Sequence, residues 1–377
     1  MKFGYKKTEL SLTEGLFGLG GIVILIVFLL LSIGLLFIFS AVHSKSTFYQ
    51  KFAIKQFFWI IIALIPFIVV ICFDYLWLIK NAYIFYMASI IMLIWTLLFG
   101  SAHMGARRWI DLGFFQLQTS EIMKIVLILT LAKLLTTQQK QGTFSDLVSP
   151  ICITLLPMLL IVVQPDLGTS LVLVPICASM VFASGIKMKP LIILGIIAIN
   201  LLIVAYFFGL KEYQKKRILM FIYQDNMTQE QKIGDGYHLN QSKITLGNGG
   251  LFGRGWKKGT QNVNHFLPEN HTDFIFCTIG EEWGFLGAFV VVVLYFILFG
   301  AMIGIVYTTP IASAQLVVIG VISLLSFQML INVCMAIGLA PITGLPLPFV
   351  SYGGSSLLFS FISIALVFSI AGRRIVS

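Results

Sequence analysis

From Gly15 to Val42 the chain reads GLFGLGGIVILIVFLLLSIGLLFIFSAV, and no ionisable side chain interrupts it. Roughly 20 consecutive apolar residues in a helix cross a bilayer, where each backbone N–H and C=O must be satisfied within the segment. This run is longer than that, so a tilted helix is expected. It lacks a small-residue cleavage site behind a short apolar core and reads as a retained helix rather than a signal peptide. The pattern recurs down the chain. Only 11% of the 377 residues are charged and 58% are hydrophobic, against about 25% charged in soluble domains. Spans are predicted at 17–42, 53–73, 80–99, 119–137, 147–164, 167–185, 189–209, 274–305, 312–338 and 355–372. The expected fold is all-α: one polytopic membrane domain over 1–377 with about ten transmembrane helices. There is no linker, low-complexity segment or clear internal repeat.

The net charge of +10 belongs mostly to residues flanking helices, not to a nucleic-acid surface. Lys2, Lys6, Lys7, Lys80, Lys133, Lys140, Lys187, Lys189, Arg373 and Arg374 fall on one side if the spans are even in number. The positive-inside tendency makes that side, and both termini, cytoplasmic. Lys45, Lys51, Lys55, Arg107 and Arg108 fall on the other side, where basic charge invites a functional reading. The five cysteines lie in or beside apolar spans without a CxxC spacing and read as small buried hydrophobes.

Two segments break the pattern. Residues 210–272 form a long polar loop, extracytoplasmic in this topology, and loops of that length are usually functional or disordered. Its run GNGGLFGRGWKKGTQ (Gly247 to Gln261) is glycine-rich, so its backbone can adopt positive φ and approach a ligand closely. PITGLPLPFVSYGGSS (Pro341 to Ser356) carries three prolines and three glycines, which forbid a regular helix. Irregular backbone at membrane depth survives only when buried in protein or lining a wet cavity. The segment is expected to pack at the external mouth of a cavity.

Polar clusters gather on the same external side. GARRWIDLG precedes the fourth span, which opens QTSEIMK, where Glu121 and Lys124 share a helical face at i, i+3. Intramembrane ionisable residues are functional by default, although this pair would also serve helix packing. Asp166, in QPDLGTS, suits either a helix cap or a site. Asp273 closes FLPENHTD at a helix start, where a carboxylate is favoured by the dipole. One carboxylate facing Arg107, Arg108, Lys124 and Arg217 also suits chemistry on a lipid pyrophosphate: cations hold the anionic leaving group and the carboxylate takes a proton. Glu281 lies about 80° and Glu282 about 180° around the helix from Asp273, so both are assigned to buried hydrogen bonding with neighbouring helices. His265 and His271 are too loosely spaced for a dedicated zinc site. A divalent cation, Mg²⁺ or Mn²⁺, bridging Asp273 and a pyrophosphate is the better-founded metal expectation.

GYHLNQSKITLGNGGLFGRGW, FLPENHTDFIF and EEWG, with GARRWIDLG, QTSEIMK, QPDLGTS and LPLPFVSYGGSS, together resemble the ordered motifs of the SEDS family (shape, elongation, division and sporulation). Their wording is most similar to its rod-shape, RodA-like branch. The resemblance implies a peptidoglycan glycosyltransferase that polymerises lipid II beside a class B penicillin-binding protein of the PBP2 transpeptidase type, with other elongation-complex proteins, in the bacterial inner membrane. Asp273 falls on the family's essential aspartate. The matching motifs carry the substrate-binding expectation to Arg108, Glu121, Lys124, Asp166, Arg217, Lys243, His271, Thr272, Ser351, Tyr352, Gly353 and Gly354. Thr119 stands where the family usually has proline, and Trp283 where most members have an aliphatic residue. The implied reaction is an inverting displacement in which undecaprenyl pyrophosphate leaves and a β-1,4 strand forms. A lipid II flippase and a non-catalytic scaffold of the cell-wall complex are the alternatives.

Overall fold

The structure, a computed structural model, describes residues 8–10, 18–43, 47–103, 106–111, 113, 115–138, 145–186, 215, 219–224, 228, 234, 236–264 and 266–375. Arg217, His265 and the expected span 189–209 lie outside the described residues.

Long apolar helices form the body: α1 (Leu19–His43), α2 (Thr47–Cys72), α4 (Ala82–Phe99), α5 (Thr119–Thr137), α6 (Ser145–Val163), α7 (Leu167–Ala183), α10 (Ile275–Thr308), α11 (Ala312–Ala336) and α12 (Gly354–Gly372). Short helices α3 (Tyr75–Lys80), α8 (Tyr237–Gly249) and α9 (Thr260–Val263) connect them. Among the described residues seven helices are long and apolar enough to cross a membrane. Of the other two long elements, α5 carries Glu121, Lys124 and Lys133, and α7 is 17 residues long. The described spans fall where the apolar runs place them.

Burial is inverted relative to a soluble protein. Phe57, Phe58, Ile61, Ile65 and Ile68 of α2 face outward, a surface that only lipid would tolerate at this extent. Gln56, Glu121, Lys124, Asp166, Glu281, Glu282 and Asn332 are buried. At the centre stands α5, buried on nearly every side although it carries Glu121 and Lys124. It packs against α4, α7 and α11, while α2 pairs with α12 and α1 with α10.

Two small antiparallel sheets were not expected from an all-helical pattern. β1 (Thr8–Leu10) pairs with β5 (Arg373–Ile375), bringing the two end segments together. β2 (Ser101–His103), β3 (Ala106–Asp111) and β4 (Gln116–Gln118) form a three-stranded sheet. Between β3 and β4 Gly113, at φ 86°, donates its N–H to Asp111 Oδ1 (2.8 Å), which turns the chain. This sheet parts the two arginines, because neighbouring strand residues face opposite ways. Arg107 donates to Leu98 O at the end of α4 (2.9 Å), and Arg108 turns to residues 164–166.

The glycine-rich run packs against a break in α10. α10 is broken at Gly284 (φ 70°, ψ −166°). In a continuous helix the N–H groups of Phe285 and Leu286 would bond the carbonyls of Glu281 and Glu282. Instead they donate to Gly250 O (2.8 Å) and Leu251 O (3.2 Å), while Arg254 and Gly255 N–H donate to Glu281 O and Glu282 O (both 2.9 Å). The loop thus satisfies all four groups that the break frees. Gly250, Gly253 and Gly255 adopt positive φ, and the backbone of the run packs closely on α10. A Cβ on Gly253 would lie 2.1 Å from Glu282 O. Gly253→Ala is therefore expected to lower stability by at least about 1–3 kcal/mol through left-handed strain and the clash. A thermal melt in detergent that matches wild type would show that the loop yields freely.

Candidate active site

Asp273 is half-buried. α10 begins at Ile275 with Phe274 in the capping position, so Asp273 stands one residue outside the helix. The segment 341–353 is wholly non-helical, as its prolines require, and it is stitched to the turn before α10. Tyr352 N–H donates to His271 O (2.9 Å). The Ser351 hydroxyl donates to Thr272 O (2.6 Å) and accepts from Leu347 N–H (2.8 Å). Phe52 of α2 stacks on the His271 ring at 5.0 Å and contacts Tyr352 at 4.9 Å. Burial raises the Tyr352 phenol above its ordinary pKa, so it stays neutral. Gly344, at φ 75°, has space for a Cβ only 3.5 Å from Asp273 Oδ2. The carboxylate and the segment's backbone therefore face each other.

One residue earlier, the same segment meets the other acidic turn: a Cβ on Gly168 would lie 2.6 Å from Thr343 O. Consecutive Cα atoms are about 3.8 Å apart, so the starts of α7 and α10 flank the segment at adjacent positions. Asp166 caps α7, accepting from Thr169 N–H (3.3 Å). It also accepts from Gln118 Nε2 (3.0 Å) and lies 4.0 Å from Arg108 Nη1. Arg108 Nε donates to Gln164 O (3.3 Å), and Nη2 donates to Pro165 O. Arg108 thus holds the Asp166 turn in this structure. Arg108→Lys and Arg108→Ala are both expected to cost about 1.5–3 kcal/mol, the value of hydrogen bonds to charged groups, because an ammonium cannot reproduce the guanidinium fork. Melting curves of the two variants check this; a silent Lys variant would show that charge alone suffices.

Glu121 and Lys124 meet as the spacing requires, Nζ to Oε1 at 2.7 Å, with the ammonium side chain only 1% exposed. The Lys243 side chain lies over Gly338 at the end of α11. Gly353 N–H donates to Gln56 Oε1 (3.3 Å), and Gly354 packs under Trp59, where a Cβ would come within 2.6 Å of the indole. The described structure therefore gathers Asp273, His271, Thr272, Ser351 and Tyr352 at one place. Arg108 joins Asp166 next to it, and Glu121–Lys124 forms a separate buried pair. No group of three His, Cys, Asp or Glu able to hold a metal occurs among the described residues.

A family profile described as cell cycle protein, FtsW/RodA/SpoVE, matches residues 21–374. The chain belongs to this family. The peptidoglycan glycosyltransferase MrdB of Escherichia coli K12 is 34% identical over 289 residues, 77% of each chain. The peptidoglycan glycosyltransferase RodA of Treponema pallidum is 31% identical, covering 92% of this chain and 96% of its own. Among solved structures, a chain of a peptidoglycan synthase complex, described as coordinating polymerization and crosslinking, superposes with a TM-score of 0.80 at 28% identity. The match covers 93% of this chain and 96% of that one. The rod shape determining protein RodA of Thermus thermophilus gives 0.69 at 27% identity, over 93% and 95%. The SEDS resemblance read from the motifs and the FtsW/RodA/SpoVE assignment agree.

Within this FtsW/RodA/SpoVE chain, sequence reasoning overlooked the uncharged polar residues that shape the site. Gln56, 1% exposed, donates to Ser351 O (3.3 Å) as well as accepting from Gly353. Asn332, fully buried, donates to Asp273 O (2.9 Å) and Leu345 O (2.8 Å). Their signal was an amide inside an apolar run, which is as anomalous in a membrane helix as a charge. Glu281 and Glu282, both fully buried, tie down the segment that precedes α10. Glu281 Oε1 accepts from Gln261 N–H (2.9 Å) and the Thr260 hydroxyl (3.2 Å). Glu282 accepts from the Ser40 hydroxyl (2.5 Å), Asn262 Nδ2 (3.4 Å) and Lys257 N–H (3.1 Å). Their partners come mainly from neighbouring helices, as expected: Thr260, Gln261 and Asn262 belong to α9 and Ser40 to α1, while Lys257 precedes α9. Asn270 Nδ2 in turn donates to Asn262 Oδ1 and to Ala41 O (3.3 Å), so this network reaches within three residues of Asp273.

Proposed function

We propose that this chain polymerises lipid II into β-1,4 glycan strands, with Asp273 as the base. The observation that carries the reading is the placement of Asp273: outside the start of α10, half-buried, with its carboxylate against the backbone of Gly344. The similarity along most of the chain to proteins named peptidoglycan glycosyltransferase supplies the reaction class.

The 4-hydroxyl of the N-acetylglucosamine of an incoming lipid II attacks the anomeric carbon of the N-acetylmuramic acid at the reducing end of the growing strand. The new C–O bond forms as the bond to pyrophosphate breaks. The proton passes to the Asp273 carboxylate, and the electron pair leaves with undecaprenyl pyrophosphate. An α-linked donor then yields a β-linked strand in one inverting step. Arg108, Lys124 and Arg217 are assigned to hold the pyrophosphate, with Lys243 among the substrate-binding residues. Lys124 is paired with Glu121 in this structure, so its part requires that pair to open toward the substrate. His271, Thr272 and the Ser351–Gly354 run hold the backbone that frames the sugar. A divalent cation held by Asp273 and the pyrophosphate would add positive charge at the leaving group.

The partner is a class B penicillin-binding protein of the PBP2 type within the elongation complex. The chain resides in the bacterial cytoplasmic membrane with both termini cytoplasmic: the pairing of Thr8–Leu10 with Arg373–Ile375 supports one side for both end segments, and the positive-inside tendency makes that side cytoplasmic. Purified protein with its cognate penicillin-binding protein, the partner's own site blocked, is expected to convert lipid II to glycan. Movement of labelled lipid across liposomes without polymer would identify a flippase instead; neither activity would leave a scaffold.

A further inference from the structure

We infer that Asn332 is a positioning residue for Asp273; the inference rests on the proposed role of Asp273 as base. Asn332 lies one turn before the end of α11 and is sealed from solvent. Both hydrogens of its amide nitrogen are used. One reaches the carbonyl of Asp273 itself (2.9 Å), the other the carbonyl of Leu345 (2.8 Å). Leu345 follows Gly344, whose backbone faces the Asp273 carboxylate. A single rigid NH₂ group therefore holds the residue that carries the base and the backbone wall opposite it.

The chemistry of the side chain points the same way. Asn332 Oδ1 is buried and has no hydrogen-bond partner among the described residues. An unsatisfied buried acceptor is destabilising, and a leucine of similar size would avoid that cost. What leucine lacks is the pair of donors. The carbonyls they serve are also beyond the reach of ordinary secondary structure. Asp273 stands outside α10 and Leu345 lies in a non-helical segment, so neither position is set by a helix of its own. The α11 helix, packed against α5, α7 and α10, provides the fixed frame to which both are referred.

Asn332→Leu removes both donors and keeps the volume; Asn332→Ser can retain one. Displacing a reacting group by about 1 Å can cost on the order of 10²-fold in rate. Lipid II polymerisation by Asn332→Leu is therefore expected to show kcat reduced about 10–100-fold per folded molecule, with KM for lipid II close to wild type and the Ser variant between. Hydrogen exchange should rise together in residues 271–276 and 343–347. Unchanged kcat per folded molecule in an active enzyme, accompanied only by a lower melting temperature, would reduce Asn332 to a packing residue and overturn the inference alone. If the Leu variant does not fold, the Ser variant decides by the same criterion. A wild type that makes no glycan overturns the proposed function, and exchange that fails to rise in both segments then overturns the tie as well.

Discussion

Asp273→Asn is expected to leave a folded protein whose lipid II polymerisation falls by about 10²–10⁴-fold, the usual contribution of a positioned general base. The substitution is isosteric. It keeps the Asp273 carbonyl that Asn332 grips, and the start of α10 does not depend on the carboxylate, because Phe274 takes the capping position. Removing a charge beside a helix start typically shifts stability by about 0.3–1 kcal/mol. Activity and melting temperature measured on the same preparation separate the outcomes. An inactive, well-folded variant supports the base. Equal polymerisation by both proteins removes Asp273 from the chemistry and leaves the proposed mechanism without its central residue.

Lys124→Met is expected to destabilise the protein by about 3–5 kcal/mol, since it strands the Glu121 carboxylate in the interior. Both side chains are almost wholly sealed, at the start of the most enclosed helix of the bundle. Replacing both partners, as in Glu121→Leu with Lys124→Met, should be far milder, because apolar residues of similar volume often replace a buried pair at no net cost. Thermal unfolding of the single and double variants in detergent tests the pair. A single variant as stable as wild type would show that Glu121 is neutral or hydrated. A double variant that folds but makes no glycan would show that the pair serves the substrate beyond holding α5.

Much of the architecture was legible because lipid imposes one rule on any segment inside it. Apolar runs of spanning length had to be helices, and those among the described residues begin and end within a few positions of the runs. The charges of QTSEIMK could be paired from their spacing alone, and the non-helical course of 341–353 follows from its prolines and glycines. Asp273 could be singled out for the same reason, since a carboxylate at the mouth of an apolar helix needs an explanation. The small sheet that parts Arg107 from Arg108 was not legible. Its strands are short, and no hydrophobic period marks them.

The sequence by itself determined the fold class, the described spans, the Glu121–Lys124 pair and the family, because these depend on composition, on periodicity within one helix and on contiguous motifs. Only the tertiary structure decided which partners the polar residues take. It turned Arg108 onto Asp166, matched the glycines of 249–255 to the break at Gly284, and brought Asn332 and Gln56 to the backbone around Asp273. These contacts join residues far apart in the chain, and hydrogen bonds of that kind are set by where rigid helices pack, not by anything adjacent in sequence.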